Sequence, residues 1–143
     1  MGISKEQIGS LIDKAFEMLP YAYTPYSHYK VGAALLAKNG TVYGGCNIEN
    51  AAYTPCNCGE RTAFFKAVSE GVTEFDAIAV VAGHEGNVTN MGSPCGVCRQ
   101  VMMEFCDPET FVICLRDESG IRTCKLGELL PLQFGGNEEI GKH

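Results

Sequence analysis

Nothing in the 143-residue chain approaches the roughly 18 consecutive apolar residues that a membrane-crossing helix needs. The opening Met1-Gly2-Ile3-Ser4-Lys5-Glu6 lacks the charged-then-apolar plan of a secretion signal. Glu6 also stands where a myristoylation signal carries Ser or Thr. Basic residues are scarce, 11 Lys and Arg against 17 Asp and Glu, which gives a net charge of −6 and a pI near 5.0. No basic cluster offsets that field, so a polyphosphate partner would be repelled; nucleic acid and membrane are both disfavoured. Repeats, linkers and low-complexity tracts are missing too, and residues 1–143 read as a single domain large enough for a real core. The three histidines, His28, His84 and His143, have no partner at ligand spacing.

Cysteine, by contrast, is plentiful. Eight in a chain with ordinary hydrophobic content (45%) and no export signal favour reduced thiols and metal binding over a disulfide scaffold. A reducing compartment, the cytoplasm, is the expected location.

Apolar spacing predicts a helix from Ser4 to Leu19, with Ser4 and Gln7 as a capping box and Pro20 ending it. An aromatic-rich loop, Tyr21 to Tyr29, follows. Strands over Val31–Leu36 and Thr41–Cys46 are joined at Asn39-Gly40, a strong hairpin signal. Helices are expected over Cys58–Glu70 and Cys95–Phe105, the second with Ser93 as N-cap and Pro94 in its first position. Phe75–Ala82 is apolar throughout, as a buried central strand would be. Strands at Thr110–Leu115 and Ile121–Lys125 and a short helix at Leu126–Leu130 complete the order α-β-β-α-β-α-β-β-α, a mixed sheet with helices on both faces. The tail from Gly135 reads as polar and loose.

The chemistry lies in Cys58-Gly59-Glu60 and Pro94-Cys95-Gly96-Val97-Cys98. Zinc deaminases carry H-x-E…P-C-x-x-C, in which the first ligand is His or Cys and the Glu shuttles protons without binding metal. Here Cys comes first. Both groups fall at expected helix starts, where N–H groups and the helix dipole favour the thiolate. Three protein ligands leave a fourth position for water, as a catalytic zinc requires. Three thiolates also leave the site with net negative charge, which Arg61, or Arg99, is placed to relieve by hydrogen bonding to sulfur. Glu60 is otherwise an exposed helix residue facing the dipole. Cys56 is an alternative fourth ligand that would close the site as a structural centre of four cysteines and leave Glu60 idle. Cys46, Cys106, Cys114 and Cys124 are most simply buried apolar groups.

Alongside this motif stand Val31-Gly32-Ala33-Ala34-Leu35, Gly45-Cys46-Asn47-Ile48-Glu49-Asn50-Ala51, Glu60-Arg61-Thr62-Ala63 and Cys98-Arg99-Gln100-Val101. Together they closely resemble the cytidine deaminases, in the small branch that uses three cysteines, over about Pro25 to Phe134. The resemblance implies a three-layer α/β/α fold on a five-stranded mixed sheet. It further implies a homotetramer with composite active sites, one zinc per subunit, and hydrolysis of cytidine and deoxycytidine to uridine and deoxyuridine. By motif match Cys58, Cys95 and Cys98 become zinc ligands, Glu60 the proton shuttle and Arg61 the group that tempers thiolate charge. Asn47 and Glu49 would hold the ribose hydroxyls, the Gly59 N–H would face the base carbonyl, and Tyr29 would lie beside the base. Tyr53 and Phe134 would reach a neighbouring subunit's site. Gly59 departs from the family's usual Ala, and Tyr29 from its usual Phe. A carboxylate such as Glu49 suits sugar hydroxyls and repels phosphate, which favours a free nucleoside. A blasticidin S deaminase of the same core, a non-catalytic structural-zinc module and a polynucleotide deaminase are the competing readings; the acidic sequence offers no channel for the last.

Overall fold

A computed structural model describes residues 2–135. Expectations that fall beyond these residues, His143 and most of the polar tail, lie outside the description. The elements follow the expected order: α1 (Lys5–Met18), β1 (Tyr29–Ala37), β2 (Val42–Cys46), α2 (Gly59–Ser69), β3 (Phe75–His84), α3 (Gly96–Phe105), β4 (Val112–Asp117), β5 (Gly120–Lys125) and α4 (Leu126–Leu129). A 3-10 turn over Leu19–Tyr21 takes up Pro20 after α1.

Local chemistry sets the ends of these elements. Ser4 Oγ accepts from the Gln7 N–H at 3.1 Å while Gln7 Oε1 accepts from the Ser4 N–H at 2.9 Å, so α1 starts with the capping box. In the β1–β2 hairpin Gly40 has φ +93, a left-handed geometry that glycine adopts without a Cβ penalty. The Asn39 side chain closes the same turn by accepting from the Thr41 N–H at 2.9 Å.

The sheet order is β2-β1-β3-β4-β5. Among the named strands of this sheet only β3 and β4 pair in parallel, and α3 is the crossover between them. Period-two alternation divides β1 between two cores. Ala33, Leu35 and Ala37 pack with Phe64, Met102, Phe111 and Leu126 beneath α2, α3 and α4, whereas Ala34 and Leu36 pack with Leu11, Ile12 and Ala15 of α1. The result is three layers, with α1 on one face and the remaining helices on the other. Burying each large side chain such as Leu11 or Ile12 contributes about 1.5–3 kcal/mol.

β3 is central and almost continuously buried, as its sequence predicts. The second layer sits very close to the sheet at one point. A Cβ at Gly45 in β2 would collide with the Gly59 carbonyl and lie 2.6 Å from the Ala63 nitrogen of α2. This close approach sets the start of α2 directly on the sheet.

Candidate metal and proton-transfer site

The first residues of α2 and α3 converge at one end of the sheet, and their backbone geometry aims the cysteines at each other. Cys58 is the N-cap of α2, with extended φ −76 and ψ 157. Cys95, not Ser93, is the N-cap of α3, and its sulfur accepts from the Cys98 N–H at 3.5 Å. Pro94 therefore lies outside the helix. Its neighbour Ser93 instead accepts from Arg99 Nη2 at 2.8 Å.

The Cys58 and Cys95 sulfurs are 3.6 Å apart and those of Cys95 and Cys98 3.4 Å apart, with all three within 4.8 Å of one another. Tetrahedral coordination with Zn–S bonds of about 2.3 Å puts sulfurs about 3.8 Å apart, so the donor set and its spacing fit zinc. Cys56 stands apart from this group. Its sulfur accepts from the Asn50 N–H at 3.2 Å, and the three-cysteine cluster is the one metal-capable group among the described residues. A closed four-cysteine centre is not what the fold builds. Cys46, Cys106 and Cys114 are buried, and burial raises their thiol pKa values, as expected of inert apolar fillers.

Electrostatics at the cluster separate the two arginines. Arg61 Nη2 donates to Cys58 Sγ at 3.3 Å. Its Nε is buried with no partner among the described residues. The neighbouring Cys98 thiol first, and then Arg61 and Cys95, hold the Cys58 thiol down at about 5. Cys98, hydrogen-bonded to the same sulfur and buried, is pushed the other way. Arg99 makes no hydrogen bond to the three clustered sulfurs among the described residues: it donates to the carbonyls of Pro94 (2.7 Å) and Leu129 (2.6 Å) and ties the α3 entry to α4.

Glu60 is 4% exposed, so it is not the solvated helix carboxylate that its position in α2 would suggest. Burial, reinforced by the Cys58 charge, raises its pKa to about 7. It lines a cleft of about 370 Å³ together with Cys58, Cys95 and Arg61.

The same cleft gathers Tyr29, Asn47 and Glu49 from the other side. Asn47 is largely occupied by the fold. Its Oδ1 accepts from the Val31 N–H at 2.9 Å and its Nδ2 donates to the Tyr29 carbonyl at 2.8 Å, which extends the pairing at the start of β1. Each group keeps one further site, a lone pair and a proton. Glu49 accepts from the backbone N–H groups of Tyr26 and Ser27, both at 3.1 Å, and from the Ser27 hydroxyl. These donors, the hydroxyl foremost, hold its carboxyl below the usual range. Gly59 is buried at the base of the helix, where an added Cβ would come within 3.0 Å of Val31 Cγ1. Tyr53 and Phe134 are 72% and 61% exposed and do not line the cleft. Sequence reasoning missed Ser27, Asn57 and Ser93 as residues of the wall. No local motif singles them out for that place.

A three-layer α/β domain thus places three converging thiols able to hold a metal ion beside a buried carboxyl group able to move a proton. Similarity to known proteins specifies it further. Residues 5–114 match the family model described as the cytidine and deoxycytidylate deaminase zinc-binding region, and the chain belongs to that family. A cytidine deaminase from Sporosarcina psychrophila is 51% identical over 127 residues, covering 89% of this chain and 90% of that protein. The crystal structure of cytidine deaminase from Burkholderia pseudomallei superposes with a TM-score of 0.81 at 43% identity, covering 92% of this chain and 100% of that one. A blasticidin-S deaminase from Bacillus cereus is more distant, at 30% identity over 139 residues, covering 94% of this chain and 96% of that protein.

Proposed function

We propose that this protein hydrolyses cytidine and deoxycytidine to uridine and deoxyuridine with release of ammonia. The observation that carries the reading is the buried Glu60 on the wall of the cleft that also exposes Cys58 and Cys95. A carboxylate kept from solvent beside three thiols has little structural purpose, but it suits proton transfer at a metal centre.

Cys58, Cys95 and Cys98 would hold one zinc per subunit, and the ion would supply the Lewis acidity that makes water nucleophilic at neutral pH. Glu60 takes the proton of the attacking water and passes it to the ring nitrogen of the base; it then takes the proton of the new hydroxyl on the ring carbon and delivers it to the amine, which leaves as ammonia while the carbonyl forms. Arg61 draws charge from Cys58, which limits how far three thiolates blunt the metal. Tyr29 flanks the base, the Gly59 N–H serves its carbonyl, and the remaining hydrogen-bonding positions of Asn47 and Glu49 take the sugar hydroxyls. Glu49 close to the sugar would repel a phosphate, which selects a free nucleoside.

The active unit is a homotetramer with shared sites, in which Tyr53 and Phe134 complete a neighbour's cleft. Their exposure, with that of Tyr21 at 72%, supports the reading, since large aromatics left in water suit an interface. The chain acts as one domain over 1–143 in the cytoplasm, serving pyrimidine salvage; its eight unpaired cysteines suit a reducing compartment. Turnover of cytidine, deoxycytidine and blasticidin S by the purified protein tests the proposal. Rapid release of ammonia from both nucleosides is expected, and negligible cytidine turnover beside rapid blasticidin S turnover would overturn it.

A further inference from the structure

Ser27 is not among the residues assigned above to the metal, to proton transfer or to the substrate, yet its polar atoms bridge two residues on the substrate side of the cleft. Its hydroxyl donates to Glu49 Oε2, its N–H donates to Glu49 Oε1 at 3.1 Å, and its Oγ accepts from the Tyr29 N–H at 3.0 Å. One serine thus connects the carboxylate assigned to the sugar with the aromatic residue assigned to the base.

The loop is shaped for this. His28, the next residue, has φ +60, a left-handed conformation uncommon outside glycine. Two backbone bonds hold it there: the His28 N–H donates to the Thr24 carbonyl at 3.0 Å, and the Glu85 N–H donates to the His28 carbonyl at 2.6 Å. The turn at His28 lets Ser27 face Glu49 while Tyr29 enters β1.

A carboxylate offers about four acceptor positions. Tyr26 and Ser27 N–H groups fill both on Oε1, and the Ser27 hydroxyl fills one on Oε2. From this geometry we infer that Ser27 is a positioning residue for sugar recognition: it orients Glu49 so that a single acceptor on Oε2 is presented to a substrate hydroxyl. The inference rests on the reading of Glu49 as the sugar contact and extends it to the residue that aims it.

The test compares cytidine with 2′,3′-dideoxycytidine, which keeps the base and lacks both ring hydroxyls, as substrate and competitive inhibitor respectively. Ser27→Ala should raise the KM for cytidine about tenfold or more, the size of one well-placed hydrogen bond to a charged group. The inhibition constant of the dideoxy compound should change far less than this KM, since only the Tyr29 N–H contact is lost on the base side, and kcat should stay unchanged. Ser27→Thr, which retains the hydroxyl, should restore the wild-type KM. Ser27→Cys keeps the shape with a weak donor and should show the same selective loss; it serves if the alanine variant does not fold. In a Glu49→Ala background, Ser27→Ala should add nothing further. Equal losses on both compounds, or no loss on either, would overturn the inference and leave Ser27 a loop-stitching residue. A wild-type protein that does not deaminate cytidine would instead overturn the functional reading beneath it, and the inference with it.

Discussion

The cleft has two walls built on opposite principles. The metal wall consists of residues at the starts of two helices: Cys58 as one N-cap, Cys95 as the other, Cys98 one turn further on, and Glu60 buried beside them. The sugar wall consists of Ser27, Tyr29, Asn47 and Glu49, held by hydrogen bonds across long stretches of chain. The first wall uses few residues in fixed local geometry. The second depends on the sheet to bring two loops together. The residues proposed for chemistry are thus placed by local helix geometry, and those proposed for recognition by hydrogen bonds between distant segments.

Under this division, damage to the two walls should differ in kind. The largest effect is expected from the metal wall itself. Cys98→Ala removes a buried ligand, and zinc content by atomic absorption and turnover should both fall to background. Glu60→Ala is the sharper case: zinc should remain at one per subunit while kcat drops at least about 10²–10⁴-fold, the range for a lost general acid–base group. An active Glu60→Ala enzyme would refute its role in proton transfer.

On the sugar wall, Glu49→Ala should chiefly raise the KM for cytidine, about ten- to a hundredfold, with zinc content untouched. A fall in zinc occupancy in that variant would erase the distinction between the walls. Phe134→Ala should weaken substrate handling by a smaller factor, provided sites are shared between subunits. Unchanged KM and kcat, with the same sedimentation behaviour as wild type, would argue against sharing.

The smallest effect is expected at Gly59→Ala. A new Cβ would lie 3.0 Å from Val31 Cγ1 and 3.3 Å from the Val31 carbonyl oxygen, so its neighbours must give by a few tenths of an ångström. The better helix former gains at most about 1 kcal/mol. Thermal unfolding should therefore move only slightly in either direction, with activity retained.

Much of the fold is legible in the chain, and the misses have physical causes. The order of elements, the α1 capping box, the Asn39-Gly40 hairpin and the central β3 all follow from spacing and turn chemistry. The start of α3 does not, because Ser93-Pro94 carries a strong helix-start signal, yet Ser93 bonds to Arg99 and the Cys95 sulfur caps instead. Arg61 and Arg99 look alike beside their cysteines; only packing shows that one meets sulfur and the other two carbonyls. Ser27 is invisible in sequence, because its meaning comes entirely from a glutamate 22 positions away.

By itself the sequence determined the reactive set. C-x-E and C-x-x-C relationships span two or three residues, and helix geometry converts such spacing directly into shared direction. Tertiary structure decided which sulfurs meet across 37 positions, that Glu60 leaves solvent, and how Glu49 is aimed. Those outcomes depend on how closely α2 and two loops settle onto the sheet, and close packing at glycine-sized gaps such as Gly45 is a property of surfaces fitted together, not of any stretch of chain.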